Sequence, residues 1–170
     1  MLQINDTILY GAEGACTVAD ITEQEVGGKT VRYYVLQPIY NPRSTVYVPV
    51  DNPILTAKMR RVLSKEEILR IIEDMPNQPS QWIEDEEQRK ETYRDILRRG
   101  DRIELVRMIK ALYDHQQVQR QKGKHLHAVD EYLFKEAEKM LYDEFALVLG
   151  IKPDQVVPFI THQITLPENA

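Results

Sequence analysis

Residues 45–72 read TVYVPVDNPILTAKMRRVLSKEEILRII, and the apolar period changes inside this stretch. Val46, Val48 and Val50 recur at every second position, which places them on one face of a strand. Pro49 has no N–H to give to a ladder, so that strand lies at a sheet edge or near its own end. From Ser64 onward the period is helical. Ser64 and Glu67 stand at capping-box spacing, each able to satisfy the other's free amide, while Ile68, Ile71 and Ile72 supply an apolar face. The change falls near residue 62. The expected division is therefore a β module over 1–62 and a helical module over 63–170, with a linker helix and loop over about 63–81.

Outward from that join, the upstream chain is a series of short β runs. Residues 7–10 (TILY), 15–21 (ACTVADI) and 31–36 (VRYYVL) are rich in β-branched and aromatic side chains. Gly27-Gly28 supplies a turn where positive φ carries no steric cost. With the run at 45–50 this makes four strands, and their brevity and tight turns suggest a small, strongly bent barrel of SH3 or Tudor type. Downstream, Pro76 to Ser80 interrupts the first helix. Helices are expected over about 84–99, closed by Gly100, from Asp101 with a buried stripe of Leu105, Ile109, Leu112 and Tyr113, and over about 128–149, closed by Gly150. A short final helix begins near Pro153. The fold class is α+β, an N-terminal barrel followed by an all-helical domain.

Net charge is −5, which disfavours indiscriminate binding to nucleic acid, yet the charge is uneven. No Lys or Arg occurs in residues 1–26, whereas residues 89–127 hold eleven against five carboxylates. Such asymmetry fits a local anionic partner or a solvated helix face with internal ion pairs. Cys16 is the one cysteine, inside a strand, and reads as a buried structural thiol. His125 and His127 lack further ligands at metal spacing. No Gly-rich phosphate loop precedes a helix, and no nucleophile stands with a base. Neither a leader segment nor a membrane-length apolar run is legible. The chain is expected to be no enzyme and to use no cofactor, metal or small-molecule substrate. A cytoplasmic setting follows from the reducing cysteine usage.

Trp82 is the single tryptophan, in the polar segment PSQWIEDEE. It reads either as a plug of the helical core or as a presented contact, and the residues themselves leave both open.

Taken in order, NDTILYGAEGACTVADI (5–21), VRYYVL (31–36), TVYVPVDN (45–52), KMRRVLSKEE (58–67), LRRGDRIELVRMIKALY (97–113) and EKMLYDEFAL (138–147) resemble the CarD/CdnL family of bacterial transcription regulators. The N-terminal module is also similar to the RNA-polymerase-interacting domain of the transcription-repair coupling factor. This resemblance implies that the barrel docks on the β subunit of RNA polymerase by strand addition through Thr45, Val46, Tyr47, Val48 and Pro49. It implies too that Trp82 wedges into the minor groove of promoter DNA at the upstream edge of the melted bubble. Arg89 and Lys90 match the basic residues that meet phosphate there, without sequence-specific reading. The protein would then stabilise the open complex and associate with the nucleoid through polymerase. Three departures stand out: Tyr47 where members can carry Arg, the acidic run Glu84 to Glu87 after Trp82, and Glu131 at a basic position of some members. An alternative is a polymerase-binding adaptor whose helices recruit another protein, with Trp82 packed internally.

Overall fold

The computed structural model describes residues 1–165, and the chain divides into compact units at Val62/Leu63. The first unit is a five-stranded antiparallel sheet of β1 (Thr7–Tyr10), β2 (Gly14–Val26), β3 (Lys29–Pro38), β4 (Val46–Pro49) and β5 (Met59–Arg61), in the order β4-β3-β2-β1-β5. The sheet is open. The barrel expected from the sequence would need β4 to pair with β5; among the described residues each instead has a single neighbour and forms a margin. Both margins are short. Between them Asn52 caps the one-turn helix α1 (Pro53–Thr56), accepting from the amides of Ile54 and Leu55 at 3.1 Å.

Two features of the sheet escape the sequence pattern. β5 is a fifth strand in Met59-Arg60-Arg61, whose only apolar member is Met59 and which pairs with Ile8 to Tyr10. β2 runs five residues past Ile21, because Thr22 to Val26 pairs with Lys29 to Tyr33 as an exposed polar ribbon with no buried face. Ala19 is bulged from the ladder between Val18 and Asp20, a device that increases local twist and bends a strand. Ile8, Tyr10, Cys16, Val18, Tyr34, Leu36 and Val48 form the core of this unit. Burial pushes the Cys16 thiol up to about 11, the behaviour of an inert packed group.

The phase of the β3–β4 ladder matters most. Val50 N–H donates to the Arg32 carbonyl at 2.9 Å, and Tyr34 faces Val48 while Leu36 faces Val46. In an antiparallel pair, bonded and non-bonded positions alternate. Tyr47 and Pro49, opposite Val35 and Tyr33, therefore occupy non-bonded positions. Pro49 loses no ladder bond by lacking a donor, and Tyr47 directs both its N–H and its C=O away from the sheet.

The second unit packs α2 (Lys65–Asp74), α3 (Glu86–Arg99), α4 (Arg102–Gln121), α5 (Ala128–Leu149) and α6 (Val156–Thr165) around one core. Sequence signals set the boundaries. The Ser64–Glu67 capping box is closed in both directions, Asp85 and Asp101 cap α3 and α4, and Gly100 and Gly150 end α3 and α5 in the left-handed conformation. The stripe of α4 differs from expectation. Leu105, Met108 and Leu112 are buried with Val106 and Ala111, whereas Ile109 is half-buried and Tyr113 is 52% exposed. Among the described residues, no helix is long and apolar enough to cross a membrane.

One buried carboxylate ties this unit together. Glu144, 1% exposed, accepts from Arg102 Nε and Nη2 at 2.9 and 2.7 Å and from the Leu63 amide at 3.0 Å. It thus fixes the start of the domain to α4 and α5. Glu144→Gln removes the carboxylate charge that Arg102 meets in the interior. The expected loss is roughly 3 kcal/mol, the low end for breaking a buried pair because Arg102 reaches solvent, read by chemical denaturation of the full chain.

Candidate functional site

The two candidate surfaces lie in different units. On the sheet, the docking residues inferred by resemblance fall on one free margin. Val46 to Pro49 make up β4, and Thr45 is the exposed residue just before it. Val48 is fully buried and Val46 half-buried, so both anchor the strand to the core, while Tyr47 is 54% exposed on the opposite face. Its ring meets Tyr33 edge to face, with centroids 6.4 Å apart and planes at 86°. This is the geometry that aromatic quadrupoles favour, so the pair orders an aromatic ledge beside the free margin. Tyr33 is the residue that sequence reasoning missed here; it was assigned only to the strand VRYYVL.

Within the helical unit, Trp82 is half-buried. The indole packs against the helical core, yet remains partly exposed. His115 of α4 stacks on it, with ring centroids 3.7 Å apart and planes within 6°. The Arg89 guanidinium carbon lies 4.4 Å from the ring centroid, a cation–π contact with a cation shielded from water. Trp82, Glu84, Glu86, Arg89, His115, Gln119, His127 and Asp130 line a cleft of about 250 Å³ around the indole.

Arg89 takes a place different from the one expected. It is 4% exposed, and its Nε and Nη2 donate to the two oxygens of Asp130 at 2.9 and 2.8 Å. Nη1 donates to the Ile83 carbonyl at 2.9 Å and reaches that of Glu84 at 3.4 Å. All of its nitrogens are engaged, so it holds the Trp82 loop against α3 and α5 instead of standing ready for phosphate. Lys90 is partly exposed but paired with Glu87 at 3.0 Å on the outer face of α3. The acidic run from Glu84 to Glu87 is exposed, and Asp85, Glu86 and Glu87 serve the helix start, where carboxylates favour the macrodipole. His127 pairs with Glu86 at 3.6 Å. Among the described residues no three His, Cys, Asp or Glu side chains are arranged to hold a metal.

His115 and Asp130 were not singled out by the sequence. A signal for the first existed, since Met108, Leu112 and His115 continue one helical face at i, i+4 and i+7. Asp130 reads locally as an ordinary first-turn carboxylate, and only the fold brings Arg89 to it across 41 residues.

Comparison with known proteins follows both units. The family model for the CarD-like/TRCF RID domain matches residues 2–63. That for the C-terminal domain of CarD matches residues 67–161. Over 159 residues the chain is 25% identical to a Bacillus subtilis (strain 168) protein named "Putative transcription factor YdeB", covering 94% of this chain and 99% of that protein.

His115 titrates below its ordinary value of 6.5, chiefly through burial, then through the positive charge of Arg89. Asp130 and Glu84 oppose that shift and Lys122 adds to it. A base with a depressed folded-state pKa binds fewer protons folded than unfolded, so its contribution to stability is whole above 6.5 and drains away as pH falls through the lower folded value. Because Trp82 is the single tryptophan, its emission should titrate with a midpoint below 6.5. His115→Gln is expected to abolish that transition. Asp130→Asn strands a buried cation, and a loss of about 3–5 kcal/mol on denaturation with faster depolarisation of Trp82 fluorescence is expected.

Proposed function

The chain belongs to the CarD family, and on that premise we propose that it is a transcription regulator that docks on the β subunit of RNA polymerase and steadies the promoter open complex. The observation that carries the reading is the outward N–H and C=O of Tyr47 on an unpartnered margin. A strand of the polymerase lobe would lie beside β4 and bond to those groups, main-chain bonds giving affinity and flanking side chains giving specificity. The Tyr33–Tyr47 ledge would replace, by apolar and edge-on contact, the ion pair formed by an Arg at this position. The likeness to a B. subtilis protein named as a transcription factor supports the same role.

The helical domain would bring Trp82 to the minor groove at the upstream edge of the bubble. An apolar ring inserted at a distorted base step offsets part of the unstacking cost, a few kcal/mol per step. An indole already fixed by His115 and Arg89 loses little further freedom on insertion, which favours binding. Polymerase docking raises the local concentration of DNA, so weak contacts suffice even for a protein of net charge −5. Preferential contact with melted DNA then shifts the equilibrium toward the open complex. A second reading, an adaptor that recruits another protein, is favoured by the packing of Trp82 against the helical core.

Tyr47→Pro removes the outward donor together with the ring that meets Tyr33, and leaves the β3–β4 bonds intact. It is expected to reduce capture of RNA polymerase at least tenfold while thermal melting moves little; Tyr47→Ala should retain more of the binding. Trp82→Ala is expected to shorten open-complex lifetime roughly tenfold, equivalent to about 1.4 kcal/mol, with the protein still folded and still bound to polymerase. The adaptor reading expects no such change in lifetime.

A further inference from the structure

A groove of about 520 Å³ opens on the helical unit and shares no lining residue with the Trp82 cleft. Val106, Ile109 and Tyr113 of α4 line it, as do Val157, Ile160 and Ile164 of α6. Each trio stands at i, i+3 and i+7, one face of one helix, and spans about 10 Å. Both helices pack on α5, whose buried Phe134 and Leu141 also line the groove. Tyr113, Val157 and Ile164 are 52%, 49% and 41% exposed, so a sizeable apolar surface is left to water. Ile109 and Tyr113 are the two residues of the α4 stripe that the core leaves out.

Two of the groove's polar members are satisfied within the domain. Lys110 Nζ donates to the Met75, Pro76 and Gln78 carbonyls at 3.1, 3.2 and 2.8 Å, which uses its three protons. The Thr161 hydroxyl donates to the Val157 carbonyl at 3.0 Å. Glu138 of α5 differs. It is half-buried in the groove, and among the described residues neither a hydrogen bond nor an ion pair engages its carboxylate. Burial pushes that carboxyl above its ordinary value of 4.5, and its charge helps to push up the neighbouring Tyr142 phenol. Water can serve a half-buried carboxylate, but it does not serve the apolar side chains beside it. The matching occupant is apolar along one face and cationic at one point.

Several occupants fail that description. Nucleic acid would set its phosphates against Glu138 and apolar walls. Residues 166–170, LPENA, contain one leucine and no cation. A two-fold pair of copies joined through the groove would bring both Glu138 side chains into one interface, like charge against like. We infer that the groove receives an amphipathic helix of another protein, at least about two turns long, with one Lys or Arg paired to Glu138. The inference is independent of the DNA role of Trp82 and gives the helical domain a protein-binding face besides that cleft.

Fluorescence anisotropy with the full chain and a labelled, end-blocked helical peptide of about 14 residues tests it. The peptide carries Leu at i, i+3, i+4 and i+7 with a single Arg beside that stripe; a twin carries Glu in place of the Arg. The Arg peptide is expected to bind at least about tenfold more tightly than its twin. Glu138→Gln is expected to remove this preference and Glu138→Lys to reverse it, while Ile109→Arg weakens binding of both peptides. Unchanged Trp82 emission and thermal melting show that each variant folds. Equal affinity for the two peptides, a preference that survives Glu138→Lys, or no binding of either overturns the inference. Sedimentation equilibrium supplies a second check: self-association that Ile109→Arg abolishes would assign the groove to a second copy and overturn it as well.

Discussion

Everything proposed for the N-terminal domain depends on the hydrogen-bond phase of one four-residue strand. β4 has β3 on one side and, among the described residues, no strand on the other. Because Val50 bonds to Arg32, Tyr47 must point its peptide groups outward and Pro49 must sit where a donor is not needed. A shift of one residue would reverse this. Val48 would leave the core, Pro49 would interrupt the ladder and the margin would present different groups. Core packing and the proline therefore enforce the same register. Shortness and Pro49 also protect the margin from indiscriminate pairing, the usual hazard of an open edge.

The helical domain follows a parallel logic with charge in place of register. Placing Arg89 and Asp130 together away from water adds little net stability, since desolvation offsets much of their attraction. Their value is positional. A planar guanidinium bound at both oxygens of Asp130 and to the Ile83 carbonyl has one orientation, and that orientation fixes the loop bearing Trp82. His115 then gives the indole a flat support from α4. Glu144 does comparable work at the domain's start, joining Leu63 to Arg102. Each arrangement converts a long-range contact into a defined local geometry.

Much of this was legible in the sequence where the cause is local. Ser64 with Glu67, Asp101, Gly100, Gly150 and the Gly27-Gly28 turn announce their roles within a few residues. Pro49 limited its strand to a sheet edge or a strand end for the same reason. Where the cause is distant, the pattern was silent. Met59-Arg60-Arg61 has one apolar side chain and becomes a strand only because β1 offers it a partner. Thr22 to Val26 extends β2 through ladder bonds without burying a face. Arg89 looks like any basic residue of an exposed helix until Asp130 meets it. In α4, Ile109 and Tyr113 fit a helical stripe as well as Met108 does, and only the packing of α5 against α4 selects between them. Closure of the sheet could not be read from strand count, since it depends on whether β4 and β5 meet.

Amide hydrogen exchange at β4, in the free protein and in its complex with RNA polymerase, tests the central claim most directly. Tyr47 N–H is expected to exchange rapidly in the free protein and to slow by at least about tenfold in the complex, while Val48 N–H stays protected in both. A Tyr47 amide already protected in the free protein, or one that exchanges as fast after the complex has formed, would contradict the account.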